Sequence, residues 1–209
     1  MIHVQGNLPR TVSVACSGGV DSMAAVDFLR RNHNVNILFF DHGTDTSSEA
    51  LDFLQKYVYR KNSEFNRKPI GTTISIKVGN ISREKEKRES EEEYWRNERY
   101  KFFHDHKSPV ITCHHLDDCV ETWIWSCFHG EGKTIPYSNV NVIRPFRLNR
   151  KAEFVNWCRR NDVPWIEDTS NEDTSYMRNF IRHEVMQKAL VVNPGLHKVI
   201  LKKIKKDQV

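Results

Sequence analysis

The sequence predicts an α/β protein: a doubly wound parallel sheet of about five strands, followed by a small helical appendage. Three observations carry that expectation. Short β-branched and apolar runs at 12–16, 35–40, 72–78, 109–113 and 140–146 alternate with stretches of helical periodicity. Buried strands separated by helices, in βαβ order, are the pattern of a parallel sheet covered on both faces. A glycine turn, Ser17-Gly18-Gly19-Val20-Asp21-Ser22, lies between the first strand and the first helix. Two strands run straight into polar residues, Asp41-His42-Gly43 and His114-His115-Leu116-Asp117-Asp118. Open sheets of this kind place ligands at the C-terminal ends of their strands. The arrangement is Rossmann-like.

The first strand and helix set the chemistry. After the turn, Met23, Ala24, Val26, Phe28 and Leu29 recur at helical spacing. The turn and the helix N-terminus expose unpaired N–H groups, and two glycines let an anion approach the backbone closely, which makes a phosphate cradle. A P-loop needs GxxxxGK[ST], which this turn lacks. The partial lookalike Gly132-Lys133-Thr134 has Cys127 where the first glycine belongs and follows a helix. Asp21 lies inside the loop itself. A carboxylate beside a polyphosphate repels it unless a cation lies between, so Asp21 implies Mg²⁺. SGGVDS resembles the PP-motif of ATP pyrophosphatases, which cleave ATP to AMP and pyrophosphate and adenylate a carbonyl-type oxygen.

The later elements follow in order. A helix is expected over 47–61, with Leu51, Leu54, Tyr57 and Val58 as its apolar stripe. In the third strand the alternation puts Ile74, Ile76 and Val78 on one face. Residues 82–106 form a long charged helical stretch, of which 83–93 is expected to be solvated or mobile. Arg96 and Tyr100 are four apart and share a face, so packed aromatics can aim Arg96 at phosphate. After the fourth strand a helix starting near Leu116 places Asp118 and Glu121 on one face, with His114 at the strand's end. Such a group could bind a metal, or form a polar pocket for an ammonium group and a nucleotide.

Helical periodicity resumes at 149 with Asn149 as N-cap. Residues 164–166 are short and extended, and Asp168-Thr169-Ser170-Asn171 has turn chemistry. Arg178 and Arg182 are i, i+4 and suit phosphate or RNA backbone. The chain closes in a basic amphipathic helix with Leu196, Val199, Ile200 and Ile204 as its stripe.

Composition narrows the class. The formal net charge of +5 is one-sided: residues 144–209 hold 14 Lys+Arg against 8 Asp+Glu. That is the footprint of a nucleic-acid binder, with Lys202 and Lys203 among the candidate RNA contacts. Five cysteines without a CxxC argue against a disulfide framework, an iron–sulfur site or a zinc knuckle. No apolar run approaches the ~20 residues of a membrane span, and the N-terminus lacks a signal-peptide pattern. A cytoplasmic location without membrane association is expected.

Five separated blocks then agree in order: SGGVDS, Asp41-His42-Gly43, Arg96 with Arg99-Tyr100, the HHLDD-CV-ET run, and the stretch from Arg144-Pro145 through DTSN to RNFIR. Together they resemble the N-terminal catalytic region of the tRNA(Ile)-lysidine synthetase family. SGGVDS alone fits GMP synthetase, NAD synthetase and tRNA thiolases as well; the later blocks favour the lysidine branch. The resemblance implies ATP-dependent ligation of free L-lysine to C2 of the wobble cytidine of tRNA(Ile) with a CAU anticodon, through an adenylated cytidine. It implies that Ser17, Gly18, Gly19, Val20, Asp21 and Ser22 bind ATP and that Asp21 binds Mg²⁺. Arg96 and His114 contact the nucleotide or developing charge, Asp118 and Glu121 bind lysine, and Asn171 and Arg182 complete the site. Arg178 contacts phosphate. Residues 1–148 are expected to form the ATP pyrophosphatase domain. Residues 149–209 are expected to form a helical extension that completes the site and contacts tRNA, with a homodimer left open.

Three departures stand beside the resemblance. The chain ends at Val209, without the C-terminal domains expected of longer members. The family's glycine-rich RGxGxxGL-like segment is represented only by His129-Gly130-Glu131-Gly132. The run 83–93 is unusually charged. Two further readings therefore stay open: a related tRNA-modifying enzyme with another nucleophile, such as a 2-thiolase, and a non-catalytic nucleotide-dependent RNA-binding module.

Overall fold

The fold is given by a computed structural model that describes residues 1–67, 72–167 and 172–206. In chain order the strands and helices are β1 (Thr11–Ala15), α1 (Val20–Leu29), β2 (Asn34–Asp41), α2 (Asp45–Arg67), β3 (Ile74–Asn80), α3 (Glu91–His104), β4 (Val110–Ile111) and α4 (Leu116–Phe128). Then come β5 (Ser138–Asn139), β6 (Val142–Ile143), α5 (Lys151–Arg160), α6 (Met177–Phe180), a π-helical turn (Ile181–Val185), α7 (Met186–Val192) and α8 (Leu196–Lys206). The six strands form one sheet in the order β3-β2-β1-β4-β6-β5. All pairings are parallel except β5 with β6. The expected doubly wound α/β sheet is present. It carries one more strand, because the run 140–146 yields only a two-residue parallel strand, Val142–Ile143, which pairs with an antiparallel strand at Ser138–Asn139.

Strand alternation explains how both faces are covered. Ile37 and Phe39 pack in one cluster with α1, α2 and α5; Leu38, between them, packs in another with Phe103, Val110 and Val142 beneath α3. Helix α5 belongs to the first cluster through Phe154 and Cys158. The sheet's core therefore takes in residues from beyond 148. A separate cluster joins Leu116, Cys119, Val120 and Ile124 of α4 to Ile181, Met186, Leu196, Ile200 and Ile204. The C-terminal helices thus dock on α4, the helix that carries Asp118 and Glu121.

Three local expectations are corrected. The charged stretch 82–106 is helical only from Glu91, because Ser90 caps α3 by accepting from Glu93 N–H at 3.1 Å. The segment before it folds back: Glu98, 4% exposed, accepts from Ser82 N–H and Oγ–H at 2.7 Å, and Arg83 pairs with Glu89. Asn149 is not the cap of α5, which is Arg150. Its buried side chain instead accepts from His3 N–H at 2.7 Å and donates to His3 O and Phe146 O, tying down the N-terminal segment. On α8 the helical phase leaves Val199 48% exposed, and His197 takes its place on the buried face.

Among the described residues, no helix is long and apolar enough to cross a membrane.

Candidate active site

The strand order reverses between β1, which neighbours β2, and β4, which leads away to β6. The chains leaving these two strands flank a crevice at the carboxyl end of the sheet, where open α/β sheets bind ligands.

On the β1 side, Gly18 has φ +88°, in the left-handed region that favours glycine, while Gly19 at φ −70° caps α1. Ser22 Oγ donates to Gly19 O at 2.9 Å and closes the turn from inside. Ile166 N–H donates to Gly18 O at 2.9 Å, so the extended segment after α5 clamps the loop from outside. Asp21, in the first turn of α1, is directed across the crevice. Its Oδ2 lies 3.6 Å from His115 Nε2, and among the described residues its buried Oδ1 has no hydrogen-bond partner.

On the β4 side, Thr112 Oγ1 and His114 Nδ1 are 2.9 Å apart. Burial pushes the His114 imidazole down to about 4; Asp118 opposes this, and Arg178 and Arg144 reinforce it. His114 is therefore neutral at pH 7. His115 begins α4 as its N-cap: its N–H donates to Asp118 Oδ2 at 2.7 Å, and Asp118 N–H donates to its Nδ1 at 3.3 Å. Burial works against a charged His115, but the surrounding Asp118, Asp21 and Asp117 outweigh it and raise its pKa.

Asp118 and Glu121 share one face of α4, and both are engaged. Arg178 Nη2 donates to Asp118 Oδ1 at 2.7 Å and its Nε to Glu121 Oε2 at 3.3 Å. Arg182 Nε donates to Glu121 Oε1 at 2.7 Å and its Nη2 to Oε2 at 3.2 Å. Burial penalises the Asp118 carboxylate, yet His115 and then Arg178 hold it well below the ordinary carboxylate range. Arg182 sits in the π-helical turn that follows α6, one turn beyond Arg178. The two arginines do share a face, as the i, i+4 spacing predicts. That face is turned onto carboxylates.

The structure brings Asp21, Asp118, Glu121, Arg178 and Arg182 together through His115. Arg96 does not join them: it is exposed on α3, with its guanidinium 5.5 Å from the Tyr100 ring centre. Asn171, with the expected turn 168–171, lies outside the described residues. Lys202 and Lys203 are exposed on α8, and Lys203 lines a cleft with Lys133, Tyr137 and Arg147. Three residues that the sequence offers only within its polar blocks, without roles of their own, acquire partners here. His115 was masked by its neighbour His114, although a His three before Asp118 is capping-box spacing. Asp117 accepts from Lys151 N–H at 2.8 Å and lies 3.1 Å from His197 Nε2, which anchors α5 and α8. His42, at the end of β2, packs between Phe40 and Trp95 and is held down to about 4 by burial and by Arg99. Among the described residues, no three His, Cys, Asp or Glu side chains are grouped to hold a metal ion.

The chain is similar to known proteins over most of its length. The tRNA(Ile)-lysidine synthase of Thermosipho africanus is 29% identical over 206 residues, covering 91% of this chain and 46% of that protein. That of Vibrio parahaemolyticus is 31% identical over 210 residues, covering 92% and 45%. That of Legionella pneumophila is 37% identical over 116 residues, half of this chain. The chain spans just under half the length of the first two. Among solved structures, the U34-tRNA thiolase NcsA from Methanococcus maripaludis shares the fold, with a TM-score of 0.73 and 14% identity over 97% of this chain and 72% of that one. The sequence profile of the PP-loop domain matches residues 3–189, a span that takes in both sides of the crevice. By fold, loop and sequence alike, the chain belongs to the PP-loop domain family.

Proposed function

We propose that this chain carries the catalytic chemistry of a tRNA(Ile)-lysidine synthase: ATP-dependent joining of lysine to C2 of the wobble cytidine in a CAU anticodon. The observation that carries the reading is the carboxylate pair Asp118 and Glu121, aligned on α4 beside the glycine loop, in a chain whose relatives bear that name.

The reaction has two steps. The cytidine C2 oxygen attacks the α-phosphorus of ATP, and the bond to the β-phosphate breaks to release pyrophosphate. The ε-nitrogen of lysine then attacks C2, the C2–O bond breaks and AMP leaves. In this reading the backbone N–H groups from Ser17 to Ser22 hold the pyrophosphate end. Asp21 would hold Mg²⁺, and the residues fit it: a buried carboxylate oxygen without a partner calls for a cation or a donor. When bound, that ion neutralises phosphate charge. Neutral His114 can donate a hydrogen bond to a phosphoryl oxygen; in this reading Arg96 reaches the nucleotide only by leaving its place against Tyr100, and Asn171 keeps the role the resemblance implies. Asp118 and Glu121 receive the lysine ammonium groups by displacing part of the Arg178 and Arg182 contacts, and one carboxylate takes the ε-amine proton. Arg182, freed in that exchange, turns to the adenylate; Arg178 turns to phosphate. Functionally, residues 1–148 supply the nucleotide end. Residues 149–209 supply the arginines and the basic helix that grips tRNA. A cytoplasmic location fits such a role.

The test is transfer of radiolabelled lysine to tRNA(Ile) bearing CAU, with ATP and Mg²⁺. Label in the wobble cytidine, lost in Asp21→Ala, is the expected result. AMP release without label would point to another nucleophile. Neither label nor AMP would favour a binding module.

A further inference from the structure

His115 does more than the reaction above requires of it. It is 1% exposed, and its ring lies 6.0 Å from that of Phe154, so it has one place to be. Capping accounts for Nδ1, which accepts from Asp118 N–H. A Ser, Thr, Asp or Asn would cap α4 with less volume. Capping does not account for Nε2, which faces Asp21 Oδ2 at 3.6 Å across the crevice. The contact joins the two chains that leave β1 and β4 at the point where strand order reverses. The other oxygen of Asp21, Oδ1, is buried and without a hydrogen-bond partner among the described residues. Whatever holds one carboxylate oxygen fixes where the other is presented. With Nδ1 as acceptor the neutral ring carries its hydrogen on Nε2, and the protonated ring carries one there too. Nε2 thus carries a hydrogen toward Asp21 in either state, at a separation longer than a hydrogen bond.

We propose that His115 is a positioning residue: its Nε2–H, 3.6 Å from Oδ2 of Asp21, attracts that oxygen, so that Oδ1 is presented to the divalent cation accompanying the ATP phosphates. This rests on the reading of Asp21 as the cation-binding carboxylate. Partners that orient a ligating carboxylate typically matter to metal affinity by about 10–100-fold.

Two substitutions separate positioning from capping. His115→Asn keeps an acceptor near Nδ1 but cannot reach Asp21. His115→Gln puts an amide N–H near Nε2 but gives up the cap. Calorimetric titration of ATP at a series of Mg²⁺ concentrations gives the Mg²⁺ midpoint for tightened ATP binding, and thermal unfolding is read in parallel. For His115→Asn the midpoint should rise about tenfold or more, with Mg²⁺-free ATP binding close to that of the parent protein and Tm lowered by the lost volume but less than in His115→Gln. For His115→Gln the midpoint should stay near the parent value while Tm falls. Asp21→Asn should abolish the Mg²⁺ dependence. If Asp21→Asn abolishes it but His115→Asn leaves the midpoint unchanged, His115 is a cap only and the reading of Asp21 stands. A midpoint raised equally in both His115 variants would likewise overturn the Nε2 contact. If Asp21→Asn itself changes nothing, the reading of Asp21 fails, and the positioning role fails with it.

Discussion

Nε of Arg182 lies 2.7 Å from Oε1 of Glu121, and the same guanidinium reaches Oε2 through Nη2. Glu121 is 3% exposed and Arg182 19%, so the pair is largely desolvated. Removing one member of such a pair strands the other's charge. Glu121→Gln should lower the unfolding free energy by about 3 kcal/mol. Glu121→Gln and Arg182→Gln together should cost less than their sum, with a coupling of about 1–3 kcal/mol. Urea unfolding of the two single variants and the double variant measures this directly. Additive effects would mean the pair is not held in solution.

The two loop glycines should fail differently. Gly18 is at φ +88°, and a methyl group there would also meet Ile166 Cδ1 at 3.4 Å. Gly18→Ala should therefore cost about 1–2 kcal/mol from backbone strain and loosen ATP binding as the cradle shifts. Gly19 is at φ −70°, and a Cβ there meets only Ser17 Oγ, at 3.6 Å. Gly19→Ala should leave Tm nearly unchanged yet still weaken ATP binding, because the methyl group occupies the approach of the phosphate. Thermal unfolding and ATP titration on both variants distinguish strain from obstruction.

Much of this was legible in the sequence, for identifiable reasons. The glycine loop and the α4 carboxylates are each contiguous, so local pattern places them on a turn and on one helix face. The alternation of strands and helices follows from the periodicities, yet β4 and β6 shrink to two residues each. The remainder of 109–113 instead serves the site, where Thr112 contacts His114. What the sequence hides is tertiary. Arg178 and Arg182 meet Glu121 across 57 and 61 residues, and only the docking of the C-terminal helices on α4 turns their shared face inward. His115 reaches Asp21 only because β1 and β4 are neighbours. The charged run before α3 is exposed over most of its length, as expected, but it is not helical, because Ser82 and Arg83 fold back onto Glu98.

Stability should fall in acid, starting well above the carboxylate range. His42 and His114 are held near 4 in the folded protein, against an ordinary value of 6.5. As pH drops from about 6.5 to about 4, the unfolded chain takes up protons that the folded chain refuses, so folding weakens. Asp117 and Asp118 are held below the ordinary carboxylate range. Their contribution is present above about pH 4 and is lost as pH falls further. Denaturant midpoints between pH 7 and 4 should therefore decline, and His42→Asn with His114→Asn should flatten that decline. An unchanged slope in the double variant would locate the loss elsewhere.

Helix α8 offers the most direct test of RNA contact. Its buried edge is Leu196, His197, Ile200 and Ile204, packed on α4, while Lys202, Lys203, Lys205 and Lys206 lie exposed. Among the described residues neither Lys202 nor Lys203 is ion-paired, so their charge is available to an anionic partner. Each phosphate neutralised on a duplex steepens the dependence of log K on log salt by about 0.9, and somewhat less on a single strand. Lys202→Glu with Lys203→Glu should therefore flatten the salt slope of tRNA binding by roughly 1–2 and weaken binding most at low salt. Because these side chains project away from the packed edge, Tm and ATP affinity should be unaffected. A parent-like slope in that variant would mean that the tRNA lies on another face. A loss of tRNA affinity with an unchanged slope would mean that the substitutions act on the docking of α8 instead of on phosphate.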